Sequence, residues 1–204
     1  MQAPASGAMQ NGPGPATSDW LRRWQALLRP GGSVLDLACG RGRHVRWLAA
    51  QGFAVTGVDR DAAAVEPLRD IAEVIVADIE GGPWPLAGRR FDAVLVTNYL
   101  WRPLLPLLRE SLADGGVLLY ETFADGQQTV GRPSRAEFLL RPGELLTAFP
   151  DLRVIGYEDG FLDNPPRFVQ RIAAVAVSAP AAGTTSTPPR HALAGAGNPA
   201  APAS

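Results

Sequence analysis

The chain of 204 residues has no lysine, and every one of its 19 basic Lys/Arg positions is arginine. We read that bias as codon usage before chemistry. It still excludes two mechanisms, because a Schiff base and a P-loop phosphate contact both need a primary ammonium. Cysteine is nearly absent. The single one, Cys39, rules out an intrachain disulfide and a cysteine-built zinc cluster. With only two histidines, a histidine-rich metal site is not expected either. Net charge is −1, so nothing marks a nucleic acid or an anionic membrane as a partner. No apolar run is long enough to span a bilayer. The first residues lack the basic and apolar regions of a secretory signal. The expectation is a soluble cytoplasmic protein without a metal.

What is present is apolar: hydrophobic residues make up 46% of the chain, enough for a sizeable core. Residues 1–17 and 180–204 are rich in Gly, Pro, Ala and Ser and show no periodicity. Such segments cannot bury enough surface to offset chain entropy, so both read as disordered tails around one domain, residues 18–179.

Within that domain helical and extended patterns alternate. Ser18 or Asp19 can cap a short helix carrying Trp20, Leu21, Trp24, Leu27 and Leu28, stopped by Pro30-Gly31-Gly32. Strands are expected at Ser33–Leu37, Phe53–Val58, Glu73–Ala77, Phe91–Thr97, Val117–Glu121, Leu152–Tyr157 and Arg167–Val177. Helices are expected near Gly42–Gln51, Ala62–Asp70 (which contains Pro67), Leu104–Leu112 and Pro142–Phe149. The strands are continuous apolar runs, as in a parallel sheet covered on both faces. No helix fits between the last two strands. The link Glu158–Pro166 is too short for a crossover, so they pair as an antiparallel hairpin.

In an open α/β sheet the ligand lies outside the carboxyl ends of the strands. Asp36–Gly42, Asp59, Asp78, Thr97–Trp101 and Glu121–Phe123 therefore converge on one site. The turn Asp36-Leu37-Ala38-Cys39-Gly40-Arg41-Gly42 joins a strand to a helix. Its glycines admit positive φ and close ligand approach. Val45 stands where a dinucleotide fingerprint has its third small residue. Asp36, ahead of the loop, would repel a pyrophosphate and attract an ammonium group. Asp59 can accept from ribose hydroxyls, and Asp78, followed by Ile79, suits an adenine edge.

The segments Val34–Gly42, Val58-Asp59, Ala77-Asp78-Ile79 and Phe91–Asn98 resemble the class I S-adenosylmethionine (SAM)-dependent methyltransferases over about residues 30–125. The stretch from Tyr120-Glu121-Thr122-Phe123 through Phe138–Leu146 is more loosely similar to the tellurite-resistance-type methyltransferases. The resemblance implies a Rossmann-like methyltransferase fold, doubly wound and mostly parallel. It would have seven strands and a C-terminal antiparallel hairpin. It also implies SAM as cofactor, with the Gly loop at the methionine end, the acid after the second strand on ribose and the acid after the third at adenine. The cofactor-binding candidates are Asp36, Ala38, Cys39, Gly40, Gly42, Asp59, Arg60, Asp78, Ile79 and Asn98. Ala38 stands where the family carries the first glycine of its loop.

For the acceptor side, the expected wall is Tyr99, Trp101, Glu121 and Phe123, with Arg132 or Arg135 reaching in. The loop Ala124–Phe138 is a candidate lid. No residue identifies itself as a base. Cys39 and His44 read as packing and structural groups rather than as a nucleophile and its activator. Little chain is left for a substrate domain, which favours a small-molecule acceptor over a protein or polynucleotide. Two other readings stay open: a SAM-binding protein without catalysis and, more weakly, a nicotinamide oxidoreductase.

Overall fold

The computed structural model describes residues 16–177 together with 190, 191 and 193. Most of the two expected tails lies outside the described residues. Helix α1 (Asp19–Trp24) is capped by Ser18, whose Oγ accepts the Trp20 N–H at 3.1 Å. A 3-10 turn, Gln25–Leu27, leads towards β1 (Ser33–Leu37). Then follow α2 (Arg43–Ala50), β2 (Ala54–Asp59), α3 (Ala62–Val65) and β3 (Glu73–Val76). The second half holds β4 (Phe91–Thr97), α4 (Leu105–Glu110), β5 (Leu112–Phe123), α5 (Glu144–Ala148), β6 (Leu152–Asp163) and β7 (Pro166–Ala176).

The strands form one seven-stranded sheet in the order β3-β2-β1-β4-β5-β7-β6. β1 to β5 run parallel, and β7 inserts antiparallel between β5 and β6. Side chains alternate across the pleat. Leu35, Leu37, Val94, Val96, Leu118 and Tyr120 enter one core with Leu108 and Leu145, on the face of α4 and α5. Val34, Ala93, Leu95, Val117 and Leu119 enter the other with Trp20, Trp24 and Leu48, under α1 and α2. Burial on both faces is why these strands read as unbroken apolar runs. Among the described residues no helix is long and apolar enough to cross a membrane.

Several boundaries differ from the sequence expectation. The helix expected over 62–70 is one α turn followed by a 3-10 turn, Glu66–Leu68, with Pro67 inside the latter. Pro67 has no N–H to continue the α ladder. β5 starts at Leu112, where a helix end was expected. Its pairing with β4 then skips from Phe91–Leu112 to Ala93–Val117, so residues 113–116 bulge out. The link expected over 158–166 is largely strand. β6 and β7 stay paired to Asp163 and Pro166, and Phe161 meets Phe168 across the ladder with ring centroids 4.9 Å apart. Asn164-Pro165 alone makes the turn.

Candidate active site

The loop leaving β1 alternates between ordinary and left-handed backbone. Ala38, Gly40 and Gly42 have φ of 53°, 55° and 73°. A left-handed alanine is costly, and its persistence marks a position fixed by its surroundings. Two backbone-directed bonds fix it. The Cys39 N–H donates to the Val58 carbonyl at 3.0 Å, and the Gly40 N–H donates to Asp59 Oδ2 at 2.7 Å. The two parallel strands are thus tied together at the ends where a ligand would lie. Gly42 answers a packing demand as well, because a Cβ there would sit 2.4 Å from Leu68 Cδ1.

Beside this loop lies a cavity of about 250 Å³. Ala38, Asp59, Arg60, Asp78 and Ile79 all line it, joined by Ala77, Glu80 and Tyr99. Asp59 Oδ1 accepts the Asp61 N–H at 3.0 Å. Asp78 Oδ1 accepts the N–H groups of Glu80 and Gly81 at 3.0 and 3.1 Å, and these bonds hold its carboxyl below the usual carboxylate range. A second cavity of about 250 Å³ adjoins the first and shares Glu80 and Tyr99 with it. Asn98 and Phe123 line this one, with Leu100, Thr122, Pro133 and Phe138. Asn98 is itself left-handed, at φ 54°. The Tyr99 hydroxyl donates to Glu80 Oε1 at 3.2 Å on the boundary between the two. A larger cavity, about 470 Å³, shares no lining residue with either and is lined mainly by the segment 134–142. Its Arg102 is already held in a two-pronged pair by Glu144, at 2.7 and 2.9 Å.

Other candidates sit elsewhere. Cys39 packs its Sγ against Gly57 within the apolar core, and burial pushes its thiol far up, so no thiolate is on offer. Trp101 packs partly buried against the core on the α4 face. Glu121 is buried: its Oε1 accepts from the Ser18 hydroxyl at 2.8 Å and its Oε2 from Arg171 at 3.2 Å. The side chain of Arg132 lines neither cavity. Arg135 pairs with Glu137 and lies over the Phe138 ring. The first half of the candidate lid is pinned down, because buried Gln127 accepts the Phe168 N–H at 2.9 Å and donates to the Arg132 carbonyl at 3.1 Å. Only its later part, at Pro133 and Phe138, reaches the cavity.

Asp36 lies beneath the loop, 1% exposed, with neither carboxylate oxygen hydrogen-bonded. Burial raises its pKa to about 7; the Asp59 charge adds to this, and Arg43 and the Val45 N–H offset only part of it. His44 Nδ1 stands 3.9 Å from Asp36 Oδ2. Its Nε2 accepts the Ser18 N–H at 3.2 Å, which puts the ring proton on Nδ1, facing Thr97 Oγ1 at 3.4 Å. Burial first, and then Arg43, lowers the His44 pKa to about 3, so the ring is neutral. Sequence reasoning missed Glu80 as a lining residue, whereas Thr122 and Phe138 fall within the expected segments Glu121–Phe123 and Ala124–Phe138. For Glu80 the signal was its place two residues after Asp78, on the turn that the Asp78 carboxylate organises.

Known proteins share part of the sequence and the fold. Residues 34–116 match a family model described as a methyltransferase domain. The ribosomal protein L11 methyltransferase of Thiobacillus denitrificans is 38% identical over 117 residues, 55% of this chain and 39% of that one. The thiopurine S-methyltransferase of Azotobacter vinelandii is 44% identical over 55 residues, 26% of this chain and 25% of that one. The chain thus spans well under half the length of both curated relatives. Among solved structures, TehB from Haemophilus influenzae superposes with a TM-score of 0.58 at 20% identity, covering 71% of this chain and 57% of TehB. Residues 34–116 thus match a methyltransferase domain, and the fold is the one seen in solved SAM-dependent methyltransferases.

Proposed function

We propose that the protein binds SAM in the cavity at the ends of β1, β2 and β3 and transfers its methyl group to a small molecule in the adjoining cavity. One observation carries the reading: two cavities of similar size meet at Tyr99 and Glu80, and Asp59 and Asp78 line the first. Asp59 and Asp78 can accept from ribose hydroxyls and from an adenine amino group respectively. The Gly40 N–H, which a pyrophosphate would use, is already donated to Asp59. Among the described residues, the carboxylates Asp59, Asp78 and Glu80 outnumber the single cation Arg60 around the first cavity, which favours a cationic ligand over a phosphate-bearing one.

SAM supplies a methyl group on a positively charged sulfur. With SAM bound, that methyl would pass in line to an acceptor's lone pair, the electron pair of the C–S bond staying on sulfur. The chain's own part is position and electrostatics. Asn98, Tyr99 and Phe123 would place the acceptor, and Tyr99 can face the sulfonium with its ring. The curated relatives name different acceptors, a ribosomal protein and a thiopurine. The small-molecule assignment therefore rests on the size of the second cavity, about 250 Å³.

Calorimetry with SAM, its demethylated product and NAD in parallel tests the reading. SAM and the product should bind and NAD should not. Tight NAD binding with no heat from SAM would sink it. Transfer of labelled methyl to a panel of small acceptors then separates an enzyme from a SAM-binding protein without catalysis.

A further inference from the structure

The second cavity carries charge of one sign. Among the described residues, Glu80 is the one charged side chain that lines it. The other polar residues that line it are Asn98, Tyr99 and Thr122, and its aromatic residues are Tyr99, Phe123 and Phe138. Arg60 lines only the neighbouring cavity, and Arg135 is turned to Glu137 and the Phe138 ring.

Glu80 is also held in place. Its N–H donates to Asp78 Oδ1 at 3.0 Å, and its Oε1 accepts the Tyr99 hydroxyl at 3.2 Å. Burial, reinforced by the Glu80 charge, pushes the Tyr99 phenol up, so Tyr99 stays a donor and that donor is spent on Glu80. Glu80 Oε2 has no hydrogen-bond partner among the described residues. A carboxylate oxygen next to aromatic faces is the arrangement that selects a nitrogen donor or cation: the oxygen takes a charge-assisted hydrogen bond and the rings offer their negative faces. The same carboxylate, with Asp78 and Asp59 in the adjoining cavity, repels an anionic acceptor.

Resting on the methyltransferase reading above, we infer that the acceptor is an apolar molecule bearing an amine. Its nitrogen is held by Glu80 Oε2, and its carbon frame lies against Tyr99, Phe123 and Phe138. Glu80 is then the residue that sets acceptor specificity.

The experiment uses the full chain saturated with the demethylated product of SAM, so that no turnover occurs. Three probes of one shape are titrated: 2-phenylethylamine, 2-phenylethanol and 3-phenylpropionate. The amine should bind about tenfold tighter than the alcohol, the scale of a hydrogen bond to a charged group. The carboxylate should bind weakest. Glu80→Gln should bring amine and alcohol together, while Tyr99→Phe keeps the amine preference. Equal binding of amine and alcohol, a preference for the carboxylate, no binding of any probe, or an amine preference that survives Glu80→Gln overturns the inference. Thermal melts of both variants confirm that they are folded. Binding of the demethylated product is measured first and reports separately on the cofactor reading. If it fails, the probe series is run on the ligand-free protein, where the amine preference is still read.

Discussion

The Asp59 carboxylate accepts the Gly40 N–H at 2.7 Å, so the acid that ends β2 also fastens the loop that ends β1. Its other oxygen accepts the Asp61 N–H at 3.0 Å. Each carboxylate oxygen can take two hydrogen bonds, which leaves one on each for a ligand's hydroxyls. Asp59→Ala removes both kinds of contact and should weaken binding of SAM's demethylated product at least about tenfold. Asp59→Asn keeps one acceptor oxygen and should fall between. Calorimetry on the three proteins measures this, and unchanged affinity in Asp59→Ala would show that ribose is not bound there.

Gly40 and Gly42 are two residues apart and should fail differently. A Cβ on Gly40 meets nothing within 4 Å, whereas one on Gly42 meets Leu68 Cδ1 at 2.4 Å. Both have left-handed φ, a backbone penalty of about 1–2 kcal/mol for alanine. Gly42→Ala adds overpacking of a buried leucine, for a total of about 3 kcal/mol. Gly40→Ala should melt within a few degrees of the parent and lose cofactor affinity, because its Cβ projects into space that the loop leaves open. Thermal melts beside calorimetry separate the two. Equal melting temperatures for both variants would contradict the packing argument.

The sheet was legible because its signals are local. Apolar runs ending in Asp36, Asp59 and Asp78 mark parallel strands and the edge where a ligand lies. The first cavity follows from the same runs, since Ala38, Asp59, Arg60, Asp78 and Ile79 all stand at strand ends. Glu121 also stands at a strand end. What draws it away is a contact to Ser18, 103 positions earlier, and another to Arg171, 50 positions later. No pattern near Glu121 encodes either contact. The extended β6–β7 hairpin was hidden for a related reason: Phe161 looks like a loop residue until it pairs with Phe168 across the ladder.

Glu121 therefore belongs to the stability of the fold. It is buried between the Ser18 hydroxyl and Arg171, which also pairs with Glu158. Glu121→Ala leaves a mostly buried guanidinium short of one partner and should cost about 3 kcal/mol. In a domain of this size that lowers the melting temperature by roughly 6–12 °C. Affinity for SAM's demethylated product, measured well below the melt, should stay within about twofold of the parent, since Glu121 lines neither cavity. A variant that melts like the parent yet loses ligand binding would return Glu121 to the site.

Asp36 and His44 face each other at 3.9 Å, and burial moves them in opposite directions. Asp36 rises from 3.8 to about 7, so the folded protein keeps a proton that the unfolded chain has lost, and stability falls as pH rises between those values. His44 drops from 6.5 to about 3, so the unfolded chain takes up a proton that the folded protein refuses, and stability falls as pH drops through that range. Between about pH 4 and 6.5 the two slopes, each about 1.4 kcal/mol per pH unit, oppose one another. The parent should therefore show little pH dependence from this pair, although both groups are strongly shifted. Asp36→Asn removes one slope and should make stability rise with pH over that window relative to the parent. His44→Gln should make it fall. Urea denaturation at pH 4.5, 5.5 and 6.5, taken as variant minus parent, isolates the pair from every other carboxylate. Differences that stay flat across the three pH values in both variants would mean that neither group titrates away from its ordinary range.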